Sequence, residues 1–234
     1  MCLSPEVDLA AGIVISVIAV DAIRHNRHNR TLPIALLPGI FALHSFASVF
    51  VWLSFQGSVS NAFGEAAANF YIFVAFVLLP IYVPIATLLV EPKGWRRNAL
   101  MGFVVLGLIA GLVYLYYILK GQASVQECTA FLDFHVAGPS WLMSAFYGAA
   151  TCGAMLLSGY RPLFLWGVLN CIAIIILNDR LSHALPSLWC LWAACTSFFV
   201  SWFMRDLIKH RKAGEVWPWE SVKKEGNVTE DPVT

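Results

Sequence analysis

Residues 67–90 read AANFYIFVAFVLLPIYVPIATLLV, twenty-four positions without a charged side chain. A helix that crosses a bilayer needs roughly 20 mostly apolar residues, because only internally hydrogen-bonded backbone is stable in hydrocarbon. This stretch is long enough, and six others qualify, at about 5–23, 32–56, 98–119, 138–157, 161–178 and 185–205. The expected fold is therefore all-α, a polytopic membrane protein with seven transmembrane helices. It comprises a transmembrane domain over 1–205 and a polar, partly disordered cytoplasmic tail over 206–234.

Composition agrees with lipid as part of the solvent. The 234-residue chain is 59% hydrophobic and 12% charged, too few charges to cover a water-soluble surface. A net charge of +1 excludes the basic footprint of nucleic-acid binding. Residues 1–8 carry Glu6 and Asp8 and no cation, unlike a cleaved signal peptide, so the first helix is expected to remain. Ser4 followed by Pro5 reads as an N-cap and first helical position. Gly138-Pro139 and Pro186 give similar signals for the fifth and seventh helices.

Lysines and arginines give the orientation, since positively charged short loops stay in the cytoplasm. Thirteen of the fifteen follow helices one, three, five or seven; only Lys120 and Arg180 fall on the other side. The N-terminus is thus expected outside and the C-terminus inside. The longest external loop spans about 120–137. Trp217 and Trp219 are expected to hold the tail at the interface, and the Asn227 glycosylation triplet lies on the wrong side for use. No internal repeat of the transporter kind is visible.

Several side chains inside the spans carry functional readings. His44, Ser48 and Trp52 fall one turn apart on one face of helix two. An ionisable group at that depth is a functional hypothesis; the alternative is a neutral imidazole hydrogen-bonded to Asn170 of helix six. Pro80 and Pro84 remove two backbone donors from helix three and should kink it, opening a cavity lined by Tyr82 and Thr87 or simply bending the helix to pack. Gly107-x-x-x-Gly111 on helix four, and Ser144, Gly148 and Cys152 on helix five, allow close helix approach, within the bundle or in a dimer.

At the outer surface, Glu127, Cys128, Asp133, His135, Asp179 and His183 join Cys2, Glu6 and Asp8 as loop residues that a metal would have to gather, without a ligand-motif spacing. The six cysteines include no Cys-x-x-Cys pair. Cys2 and Cys190 are expected near the outer face, where a disulfide is permitted and Cys128 is an alternative partner. Trp189, Trp192 and Trp202 with Phe198 and Phe199 make an aromatic wall on helix seven, whose interior has no lysine for a retinal Schiff base.

These residues resemble those of an uncharacterised family of bacterial seven-helix integral membrane proteins, a domain of unknown function whose members begin Met-Cys-Phe-Ser-Pro. The corresponding pieces are Met1-Cys2-Leu3-Ser4-Pro5-Glu6, Val51-Trp52-Leu53, Pro80-Ile81-Tyr82-Val83-Pro84, Glu91-Pro92 and Ser187-Leu188-Trp189-Cys190. The resemblance implies a bacterial inner-membrane location and raises Cys2, Trp189 and Cys190 above other candidates. In that family helix two usually has Gln and Glu where His44 and Ser48 stand here. The membrane hydrolases that include alkaline ceramidases are more distantly similar, but of their zinc-binding histidines only His44 and His183 have counterparts.

The leading functional expectation is a sensor or accessory subunit without catalytic residues. It would bind a small or lipidic ligand, or a membrane protein partner, in an outward-facing pocket framed by helices two, three, six and seven. His44, Ser48, Trp52, Tyr82, Asn170 and Trp189 are the pocket candidates, with Cys2 and Cys190 as a disulfide or thiol site. The lipid bilayer is the remaining partner; no metal site or cofactor is identified. The alternative is a membrane-embedded metal- or thiol-dependent hydrolase or redox enzyme with its site near the outer face. Haem-based electron transfer would need two facing intramembrane histidines, and only His44 is available.

Overall fold

Continuous apolar sequence makes long helices here, and glycine, proline and capping residues set where they stop. The computed structural model describes residues 4–128, 131–180, 188, 192 and 194–212. Among them are seven helices: α1 Pro5–Arg24, α2 Leu32–Phe55, α3 Asn61–Val90, α4 Trp95–Leu119, α5 Trp141–Leu156, α6 Arg161–Arg180 and α7 Phe198–Lys212. The helices α2, α3 and α4 are long and apolar enough to cross a membrane; Trp141–Leu156 and Arg161–Leu177 are shorter apolar helices. In α1, Ser4 Oγ accepts from the Val7 amide at 3.3 Å and Pro5 opens the first turn. Glu6, Asp8, Asp21 and Arg24 make this helix more charged than its neighbours.

One departure from the all-α expectation lies in the segment after α4. It folds as an antiparallel hairpin, β1 Ala123–Cys128 and β2 Phe131–Val136, in register from Ala123 opposite Val136 to Cys128 opposite Phe131. Period-two alternation explains it: Leu132, Phe134 and Val136 are buried in the bundle, whereas His135 faces away. The chain leaves β2 through Gly138 at φ 107°, a left-handed position suited to glycine. Consequently Pro139 does not open α5, which starts at Trp141 after Ser140.

The proline pair in α3 acts differently from a simple kink. Phe73–Leu78 is wound as a π-helix, with the Leu79 amide bonded to the Val74 carbonyl. Pro80 has no N–H for the Phe76 carbonyl and its ring crowds that turn, so a wider turn upstream relieves both problems. Pro84 likewise denies the Pro80 carbonyl an amide donor from one turn on. Gly107 of α4 packs directly on that carbonyl, and Gly111 packs on Ile81 and Val77. The small-residue pair is thus used inside the bundle, between α4 and α3.

The remaining helices close around this pair. The two helices α1 and α2 pack extensively, and α7 lies against α1, α2 and α6. A tight turn at Thr196 and Ser197 precedes α7, with Trp166 Nε1 donating to Thr196 Oγ1 at 2.8 Å. Much of the expected helix-seven stretch 185–205 lies outside the described residues. At the end opposite the hairpin, Asp21 of α1 accepts from Ser201 and from Arg205 of α7, the latter through Nη2 at 2.6 Å and Nε at 3.2 Å.

Glu91 performs a similar tie between turns. Its buried carboxylate accepts from the Gly159 amide at 3.1 Å (Oε2) and 3.3 Å (Oε1), at the start of α6, and from Ser158 Oγ at 3.5 Å. Burial raises its pKa, opposed by the Gly159 bond, the Arg96 charge and the Ser158 bond. Burial and then the Glu91 charge push the neighbouring Tyr160 phenol up as well. Since the folded state holds the Glu91 proton more readily than the unfolded chain, the fold gains stability as pH falls through the raised value, because protonation relieves the cost of burying the charge, and the gain is complete below the unfolded value. Glu91→Ala, which strips Gly159 of its acceptor, should cost about 1–3 kcal/mol, and Glu91→Gln less. Unfolding in detergent at mildly acidic and mildly alkaline pH checks both: wild type should gain stability on acidification and Glu91→Gln should lose that dependence. A Glu91→Gln protein with the wild-type pH profile would assign the effect elsewhere.

Candidate binding site at the hairpin end

The inward face of α2 carries His44, Ser48 and Trp52 at one-turn intervals, all buried. Ser48 Oγ donates to Asp8 Oδ2 of α1, so a carboxylate that is 0% exposed meets a hydroxyl that is also 0% exposed. Gly12, one turn beyond Asp8, brings α1 close enough for a Cβ there to lie 2.7 Å from the Phe46 ring. The close pairing of α1 with α2 therefore positions the acid.

His44 is held by stacking. Its ring lies 3.6 Å from that of Tyr71 on α3, and Tyr71 in turn lies 3.7 Å from Phe134 of β2. The hairpin thus closes a three-ring column that begins inside the bundle. Neither ring nitrogen of His44 meets hydrogen-bond geometry with a described residue, although the Tyr71 backbone lies close enough to interact with the ring; Trp52 Nε1 has no partner among the described residues. A buried polar atom left in that state costs about 1–3 kcal/mol.

At the hairpin end lies a cleft of about 610 Å³, lined by α2 (Val51, Ser54, Phe55), by α3 from Asn61 to Ile72, and by Ala123–Val125 of β1; the three rings of the column are not on its lining. Gly64 makes the junction: a Cβ there would sit 2.2 Å from the Ser54 side chain, so glycine lets the start of α3 cross the end of α2. Glu65 is the one charged residue on the lining, among Ser54, Asn61, Asn69 and Ser124. The arrangement suits binding: main-chain and amide groups beside an apolar floor fix a guest without reacting with it.

The pocket candidates named from sequence occupy separate places. His44, Ser48 and Trp52 share the α2 face beneath the cleft. Tyr82 lies toward the other end of α3 and donates to the Pro33 carbonyl at 2.8 Å. Asn170 donates through Nδ2 to Trp166 O in its own helix at 2.8 Å, and its Oδ1 is unpaired among the described residues; no hydrogen bond joins it to His44. Trp189, Cys2, Cys190 and His183 lie outside the described residues. Asp133 and His135 belong to the strand face opposite Phe134. Among the described residues, no three of His, Cys, Asp and Glu come together as a metal would require.

The sequence alone does not single out Tyr71, Phe134 or Ser54, and it places Asp8 among outer-surface residues that a metal would have to gather, not in a buried contact with Ser48. A signal for Phe134 existed in the alternation FLDFHV. It also gave no hint that Cys152, buried in the π-wound turn Ala149–Gly153 of α5, would lie against Cys171 of α6.

The sequence model of a family of unknown function (DUF6629) matches residues 1–214. The chain belongs to that family. No curated protein and no solved structure matches this DUF6629 member. Its functional assignment therefore rests on the geometry of its own cleft and ring column.

Proposed function

We propose that this DUF6629 protein is a multi-pass protein of a bacterial inner membrane, crossing it seven times with the N-terminus outside. In this reading it works as a sensor or accessory subunit, binding a small or lipidic ligand or a protein partner in the cleft at the hairpin end. One observation carries the binding reading: a cleft of about 610 Å³ between α2, α3 and β1, with Glu65 as the one charged residue on its described lining. The orientation reading draws on charge. The turns at Arg24–Arg30, Lys93–Arg97 and Arg161 gather at the end opposite the hairpin, whose own neighbourhood holds Lys120.

Two measurements test it. Reporter fusions after Gly121 should be active outside the membrane and fusions after Gly94 inside; the reverse pattern would overturn the orientation. For the cleft, a thermal-shift screen of small polar molecules and lipid headgroup analogues against the nanodisc-embedded protein should find stabilisers. Filling the cleft with Ala68→Phe should abolish their effect. A stabiliser that acts equally on Ala68→Phe would move the binding site elsewhere.

A further inference from the structure

Among the described residues, no backbone group pairs with the outer edge of β1. The Ala137 amide donates to the Gln122 carbonyl at 2.9 Å, which with the hairpin register makes Gln122, Ser124, Gln126 and Cys128 the positions whose main chain turns toward β2. Ala123, Val125 and Glu127 therefore direct their N–H and C=O groups the other way. Among the described residues no backbone group meets them. An open strand edge is a template for another strand, and folded proteins normally cover it.

Two of these three edge residues, Ala123 and Val125, line the cleft. The facing wall is α3, where Gly64, Ala68 and Ile72 recur every fourth residue as an apolar floor and Asn61, Glu65 and Asn69 recur as a polar lip. The result is a trough with a hydrogen-bonding edge along one side and a single negative charge along the other. Free donors and acceptors at every second residue, roughly 7 Å apart, match the repeat of a polypeptide main chain.

We propose that this trough receives an extended peptide segment of a partner protein, added as a third strand on β1 and carrying a lysine or arginine opposite Glu65. The proposal rests on the cleft being the binding site and names its occupant. Main-chain pairing supplies affinity in such strand addition, and the side chains lodged alongside supply specificity. A second copy of the chain is disfavoured as occupant, since it would bring its own Glu65 and Glu127 to an edge that already carries both.

The test uses the full chain in nanodiscs and a displayed library of twelve-residue peptides, with scrambled sequences as controls. Selected peptides should carry a basic residue and should slow hydrogen exchange at the Ala123 and Val125 amides, a measurement that needs no variant. Val125→Pro removes an edge donor that β2 does not use and should weaken binding about tenfold or more while the hairpin register and the fold are kept, at some cost in stability from the lost Val125 packing. Glu65→Lys, at an exposed site, should weaken it about threefold or more at low salt. The proposal falls if no peptide binds above the scrambled controls, if protection lands outside β1, or if Val125→Pro folds and binds unchanged. It also falls if Val125→Pro merely converts a dimer to a monomer, since the edge then belongs to a second copy. Small molecules that occupy the cleft when no peptide does would leave the binding reading standing and remove the strand pairing alone.

Discussion

Gly107→Ala should unfold or severely loosen the bundle, costing at least about 3 kcal/mol, the upper range for forcing atoms into a packed interior. A Cβ at Gly107 would lie 1.9 Å from the Pro80 carbonyl oxygen and 2.9 Å from its carbon. The obstruction is backbone, so no rotamer change relieves it; α3 and α4 would have to separate. That separation would also pull Gly111 away from Ile81 and Val77. Gly102 of the same helix has nothing within 4 Å of its Cβ position, so Gly102→Ala is the matched control. That control should be neutral or stabilising by up to about 1 kcal/mol, because alanine is the better helix former. Unfolding in detergent, followed by loss of helical signal, measures both. Equal stability of the two variants would mean that α4 does not pack on α3 through this carbonyl.

The second large effect concerns Ser48 and Asp8. Ser48→Ala takes a hydroxyl donor from a carboxylate that is 0% exposed, and hydrogen bonds to charged groups are worth about 1.5–3 kcal/mol. Asp8→Ala removes the acceptor instead and leaves the Ser48 hydroxyl buried. Because each substitution damages the same contact, the double variant should be less destabilised than the two singles added, with a coupling of about 1–3 kcal/mol. Strict additivity in the double-mutant cycle would show that the contact contributes nothing to the fold. Asp8→Asn, which keeps an acceptor oxygen, should fall between wild type and Asp8→Ala.

Both residues bear on how far this chain can be read without coordinates. The long helices are visible because an uninterrupted apolar run leaves the backbone no partner but itself. Residues 67–90 announce α3, although its start at Asn61 does not follow from hydropathy. Glycine spacing revealed that α4 has a face for close approach, but spacing names no partner; Pro80 became the partner only once its carbonyl was in place. The π-turns left no legible trace, since π-winding in α3 depends on what surrounds Pro80 and not on proline alone. Asp21 sits within an apolar stretch and looks like an interruption, whereas in three dimensions it receives Ser201 and Arg205 from a helix 180 or more positions later. The hairpin is hard to see because residues 120–137 stand between two apolar runs and read as a connection, while the alternation that buries Leu132, Phe134 and Val136 is only six residues long. For His44, depth in the sequence was informative and its neighbour was not: Tyr71 holds the ring, not Asn170.

The seating of Phe134 on Tyr71 also constrains the order of assembly. The column joins two rings 63 positions apart in the chain, and the later ring arrives on a strand that lies beyond the whole of α4. While ribosomal synthesis proceeds, α1 to α3 can form and pair, yet His44 and Tyr71 stay uncapped until the segment after α4 has turned back over them. The inner half of the column therefore stays open through the synthesis of α3 and α4, and its closure precedes the arrival of α5, α6 and α7.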